Sequence, residues 1–242
     1  MIVNYFLLGS NPFIEAYLNS DILGKAIFLA LIFLSLCTWI VLIYKVRTTH
    51  EARRLAESFQ KQFQSQRHAP LSLDCSDPVN THPFLSLYQA LKEQTIDLLN
   101  KNKRFAQSQK GKEAPPCLSQ SDIDLVGSHL MTTISNQVKR LENHLYLLST
   151  IASLGPYLGL LGTVWGILTT FSQLQGQTHH AILGGLSLAL ATTVLGLVDA
   201  IPALIGYNYL KNAIRNFEVE MESFSNEILV SVELQYRQVD TV

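Results

Sequence analysis

Residues 153–171 read SLGPYLGLLGTVWGILTTF, and residues 188–208 read LALATTVLGLVDAIPALIGYN. Both are long apolar runs threaded with Gly, Ala and Thr, and both contain one proline. The first has no charged side chain and the second has only Asp199. Apolar helices meant for water-soluble cores rarely run so long without charge. Helices that pack against one another in lipid do, because small residues let their backbones approach. The fold question therefore becomes how many spans the chain has, and what lies between them.

Charged residues make up 15% of the chain and apolar ones 48%, and the apolar ones are concentrated. Residues 26–44 and 145–171 carry no charge, and 181–210 carry only Asp199. A bilayer core about 30 Å thick takes about 20 helical residues, so each run can span. We expect an all-α membrane protein with three transmembrane helices, at 22–44, 145–172 and 181–210. The first run lies after about 20 residues without a basic leader and is too long for an ordinary signal-peptide core, so it reads as a retained anchor.

Lys and Arg are absent from 1–24 and from the link around 173–180. They cluster at Lys45, Arg47, Arg53 and Arg54, at Lys139 and Arg140, and at Lys211 and Arg215. Positive charge stays on the cytoplasmic side. The expected topology is a periplasmic N-terminus (1–21), a cytoplasmic loop (45–144), a periplasmic link (173–180) and a cytoplasmic C-terminal helix (211–242). Lys25 can snorkel to the outer interface. His179 and His180 read as ordinary polar residues of the outer link.

The cytoplasmic parts read as long helical extensions. Residues 45–67 continue the first span, with Leu55, Phe59 and Phe63 four apart. Pro70, Pro78 and Pro83 interrupt, helical periodicity resumes over 84–104, and 106–118 reads as a mobile linker. Ile123, Val126, Leu130, Ile134, Val138, Leu141, Leu145 and Leu148 then form one apolar stripe. Ser119 or Ser121 can cap its start. No Gly or Pro separates that stripe from the second span, so one uninterrupted helix is expected there. The tail carries Ile214, Phe217, Met221, Phe224, Ile228 and Val232 on one face.

At 100° per residue, Gly155, Gly159, Gly162 and Gly166 share a narrow face of the second span. Gly185, Ala189, Thr192, Gly196, Ala200 and Ala203 share one on the third. Asp199 lies at the edge of the latter, 20° from Thr192. Pro156 and Pro202 are expected to fix kinks. A charge at membrane depth must face protein or water, so Asp199 is a candidate for ion movement. Thr192 on that face, with Thr163 and Thr170 on the flank of the second span's glycine face, adds hydroxyls, which both donate and accept. Cys37, Cys75 and Cys117 form no metal or disulfide pattern. No nucleophile–base pair, phosphate loop or ligand cluster points to an enzyme or a cofactor.

GLLGTVWGI followed about 30 residues later by ATTVLGL, AIPA and YN resembles the TolQ/ExbB family, with flagellar MotA more distant. The first span and the tail YNYLKNAIRNFEVEMESFSNEI look more like the TolQ branch. The resemblance implies an inner-membrane motor subunit, several copies (usually five) surrounding the helices of a TolR/ExbD-like partner. Proton passage past that partner's aspartate would drive a periplasmic TolA- or TonB-like protein. Thr163 and Thr193 match the family's two span threonines and would line the pore. The family glutamate is replaced by Leu188, and Asp199 stands where a small residue is usual. The positions are three turns apart on one stripe, about 16 Å. This suggests a displaced acid acting near the cytoplasmic exit. The alternatives are an ExbB-type subunit or a non-conducting oligomeric scaffold; no nucleic-acid partner is expected.

Overall fold

The computed structural model describes residues 17, 21–65, 70–72, 82–110, 117–172 and 179–237, with side chains throughout except at 106, 108–110, 179–184 and 188. Most of the expected periplasmic N-terminus and link, Pro78, Cys75 and 111–116 fall outside the described residues. So do the side chains of Leu188, His179 and His180.

Among the described residues the secondary structure is helical. There are five helices: α1 Ile22–Ser65, α2 Pro83–Lys110, α3 Gln120–Glu142, α4 Leu145–Ser172 and α5 His179–Tyr236. Three of them, α1, α4 and α5, contain stretches long and apolar enough to cross a membrane. Contacts divide the chain into two units. The first comprises residues 1–46 and 144–210, the second 47–143 and 211–242.

In the first unit, the glycine stripes of α4 and α5 face each other. A Cβ at Gly155 would come within 2.9 Å of the Gly196 carbonyl oxygen, one at Gly159 within 3.0 Å of the Thr192 carbonyl oxygen, and one at Gly166 within 3.0 Å of the Ala189 Cβ. Side chains larger than hydrogen would push the backbones apart, which is the reason for the small residues. α1 joins through an inward stripe of Ile27, Leu31, Ser35, Thr38 and Lys45. Leu31, Thr38 and Lys45 are buried to 0%, 1% and 4% exposure. Asp21 caps α1 by accepting from the Gly24 N–H. Its other carboxyl oxygen accepts from Trp165 Nε1 at 2.8 Å, tying the start of α1 to α4. The outward faces keep Phe33, Ile40, Tyr157, Phe171 and Ile205 largely exposed, as lipid or a neighbouring subunit requires.

The second unit has an aromatic core. Phe84 stacks on Phe224 with ring centroids 4.4 Å apart, and Phe59 and Phe63 pack edge-on against Tyr88 and Phe224. The expected stripes supply the remainder. Ile123, Val126, Leu130 and Ile134 of α3 and Ile214, Phe217, Met221, Ile228 and Val232 of α5 are all buried. Ser119 and Asp122 form a reciprocal capping box at the start of α3.

Two expectations fail. The stripe from 121 to 148 is not one helix, because it breaks between Glu142 and Leu145. Asn143 leaves the helix with ψ 137°, and His144 takes φ 68°. Asn and His are among the non-glycine residues that enter this left-handed region most readily, so the break needs neither Gly nor Pro. Second, α2 runs on to Lys110, so residues 106–110 of the expected linker are helical, as good helix formers such as Gln and Lys allow.

Candidate functional site

The site is built on the α4–α5 seam and its two flanks. Of the packing residues named from the sequence, the six glycines, Ala189 and Ala200 meet across the seam. Gly155 meets Gly196 and Ala200, Gly159 meets Thr192 and Thr193, Gly162 would collide with Thr192, and Gly166 meets Gly185 and Ala189. Ala189, Ala200 and Ala203 are buried. Pro156 and Pro202 lie inside continuous α4 and α5. Each lacks the N–H that its turn would otherwise use.

Thr192 is fully buried, its hydroxyl donating to the Ala189 carbonyl at 2.8 Å. It fills the space Gly162 leaves open, so within the chain it is a packing residue with no outward surface. Thr193 and Thr163 are different. Both are partly exposed. Thr193 donates across the seam to the Gly159 carbonyl at 3.3 Å, and Thr163 donates to the Leu160 carbonyl of its own helix at 2.7 Å. In both cases the hydroxyl's lone pairs remain available to accept.

Thr163 follows Gly159 by 40° around α4, and Thr193 follows Thr192 by 100° around α5. Because the two helices run in opposite directions, these rotations carry both threonines to the same side of the seam. Their neighbours there are Leu160, Ile167, Leu197 and Leu204, between 41% and 57% exposed. This flank is an open apolar face that also carries the hydroxyls of Thr163, Thr170 and Thr193.

Asp199 lies on the other flank. Six residues separate it from Thr193, which leaves the two 120° apart around α5. Asp199 is 4% exposed and its carboxyl lies within reach of Ser35 on α1, while its Oδ2 is buried without a hydrogen-bond partner. Two turns further on, Leu42 of α1 reaches Gly206 of α5, so α1 and α5 run parallel here. The sequence put Asp199 and Thr192 on one stripe. In the folded chain that stripe is closed by α4 at Thr192 and by α1 at Asp199.

Ser35, Thr38 and Lys45 were missed by the sequence reading. Their signal is a helical spacing of 3 and 7 that puts the polar residues of the first span on one face. Trp165 and Asp21 were missed as well, since one side chain of the pair lies in the flanking segment.

Three membrane-capable helices, a glycine seam and an open threonine flank define a helical membrane protein built for close association of its spans. The sequence profile described as the MotA/TolQ/ExbB proton channel family matches residues 87–223. The chain belongs to that family. It is 28% identical over 222 residues to the Tol-Pal system protein TolQ of Haemophilus influenzae, covering 89% of this chain and 91% of that protein. It is 26% identical over 219 residues to the biopolymer transport protein ExbB of Pseudomonas putida, covering 89% of this chain and 62% of that protein. Over 92 residues, 37% of this chain and 62% of the relative, it is 44% identical to the ExbB of Aquifex aeolicus.

Proposed function

We propose that the chain is a TolQ-like motor subunit of a bacterial inner membrane. Copies of it, five by family analogy, surround the transmembrane helices of a TolR-like partner, with the N-terminus periplasmic and the C-terminus cytoplasmic. The open flank of α4 and α5 faces that partner. Thr163 and Thr193 line the passage there, holding water or the partner's carboxyl by hydrogen bonds without adding charge. Proton flow, driven by about 2.3 kcal/mol per charge for each 100 mV, moves the partner and, through it, a TolA-like protein acting on outer-membrane integrity and cell division.

The observation that carries this reading is the division of α5 into two flanks. The chain's own α1 covers Asp199, buried at 4% exposure, and the face bearing Thr163 and Thr193 keeps its leucines and isoleucine exposed. An apolar flank dotted with threonine hydroxyls suits a foreign helix carrying one acid better than it suits lipid alone.

An ExbB-like role, energising a TonB-like protein, is the second reading. It is favoured by the 44% identity to the Aquifex aeolicus ExbB over 92 residues. Complementation separates the two. Introduced with its own TolR/ExbD-like partner into bacteria lacking TolQ, the chain should restore detergent resistance and normal division. Introduced into bacteria lacking ExbB, it should not restore TonB-dependent uptake. The opposite pattern replaces the first reading by the second, and rescue of neither with a well-assembled complex removes both in favour of a scaffold.

A further inference from the structure

The chain holds one carboxylate at membrane depth on a described helix, and its own α1 covers it. Asp199 is 4% exposed. Ser35 of α1 lies beside the carboxyl, and Oδ2 is buried with no hydrogen-bond partner. A structural acid would have both oxygens bonded, or a cation beside it, because an unpaired buried charge is among the costliest features a fold can contain.

Among the described residues no such cation faces it. Along α1 the nearest charged residues are Lys25 and Lys45, each ten residues from Ser35, or about 15 Å of helix rise. α4 carries no charged side chain, and its titratable Tyr146 and Tyr157 are both exposed on the outside. Within 185–210 of α5, Asp199 is the sole charge. The other hydroxyl on the inner face of α1 is already committed, as Thr38 donates to the Leu34 carbonyl at 2.9 Å. That leaves Ser35 as the donor α1 supplies. Beside the acid, Pro202 has no N–H to give the Val198 carbonyl, so an extra acceptor lies in the same turn.

We propose that Ser35 and Asp199 form a proton-exchange site inside each subunit, between α1 and α5 and apart from the threonine flank. Oδ2 carries the proton, and Ser35 is a positioning residue that holds the other oxygen. The proton arrives from hydronium, forming an O–H bond at Oδ2 and releasing water, and it leaves by the reverse step. No other bond changes. The first span is then a working part of the ion machinery as well as an anchor. This rests on the reading of the chain as a proton-channel subunit.

The test is infrared difference spectroscopy of the full-length chain in lipid vesicles, without partner, as pH is stepped. A protonated-carboxyl C=O band should titrate in the wild type and vanish in Asp199→Asn. In Ser35→Ala the band should move to higher frequency, as a carboxyl does on losing a hydrogen bond, and Ser35→Thr should return it toward the wild-type position. If Asp199→Asn does not fold, the Ser35→Ala and Ser35→Thr shifts decide alone. Absence of any Asp199-dependent band, or a band indifferent to Ser35, overturns the proposal. The channel reading is checked apart, by proton flux in the partner complex. Flux without the band sinks this site only, and the band without flux sinks the channel reading only.

Discussion

Gly155 and Gly196 approach so closely that a Cβ built on Gly196 would stand 2.5 Å from the Gly155 carbonyl oxygen and 3.2 Å from the Gly159 Cα. The obstructing atoms are backbone, so nothing can swing aside. The contact lies on the seam that fixes where both flanks point, and its loss would disturb each of them.

Gly196→Ala should therefore destabilise the first unit by about 1–3 kcal/mol through overpacking, read as a lower midpoint of thermal unfolding in detergent. Gly127→Ala is the control. A Cβ there meets only the Leu229 Cδ2 at an ordinary 3.5 Å, and alanine favours an α-helix interior by about 1 kcal/mol over glycine. Stabilisation is expected at Gly127, and equal tolerance at both sites would contradict the seam.

His144 carries the backbone through φ 68° and is exposed, so its cost is conformational. Replacement by a β-branched residue, His144→Val, should lower stability by about 1–2 kcal/mol, whereas His144→Gly should not. Urea unfolding of the two variants distinguishes a true break at 143–144 from a continuous helix, in which glycine would be the worse residue.

His82 caps α2, with Pro83 at the first helical position. Its Nδ1 accepts from the Leu85 N–H at 3.2 Å, and the ring packs on Phe59. Burial pushes the imidazole below its usual 6.5. A depressed folded value means the contribution is complete above about pH 6.5 and declines as pH falls from there through the folded value. The loss is at most one proton's slope, about 1.4 kcal/mol per pH unit. His82→Asn, which can still cap, should flatten the stability difference between pH 7.5 and 5.5 measured by urea unfolding.

The three spans and the seam were legible because both rest on local composition. Uncharged runs set the spans, and glycine recurring every three or four residues set the contact face. The break at His144 was illegible, since the apolar period runs straight through it and the sequence offers no glycine or proline there. The surroundings of Asp199 were hidden for another reason. A helical wheel shows which residues share a face and not which neighbour covers it. Ser35 is an unremarkable serine until α1 is laid against α5. The helical wheel likewise sets Thr192 on the small-residue face and Thr193 100° from it, but only the packing of Gly162 on Thr192 shows which one is enclosed.

The central claim is that protons pass along the flank bearing Thr163 and Thr193. It is tested most directly by proton flux into liposomes containing the chain and its TolR/ExbD-like partner. With an imposed potential, the wild-type complex should acidify the lumen. Thr163→Val with Thr193→Val should slow flux by about tenfold, the equivalent of roughly one hydrogen bond lost at the rate-limiting position, and the serine pair should retain it. Flux unchanged in the valine pair, with assembly intact, would contradict the account.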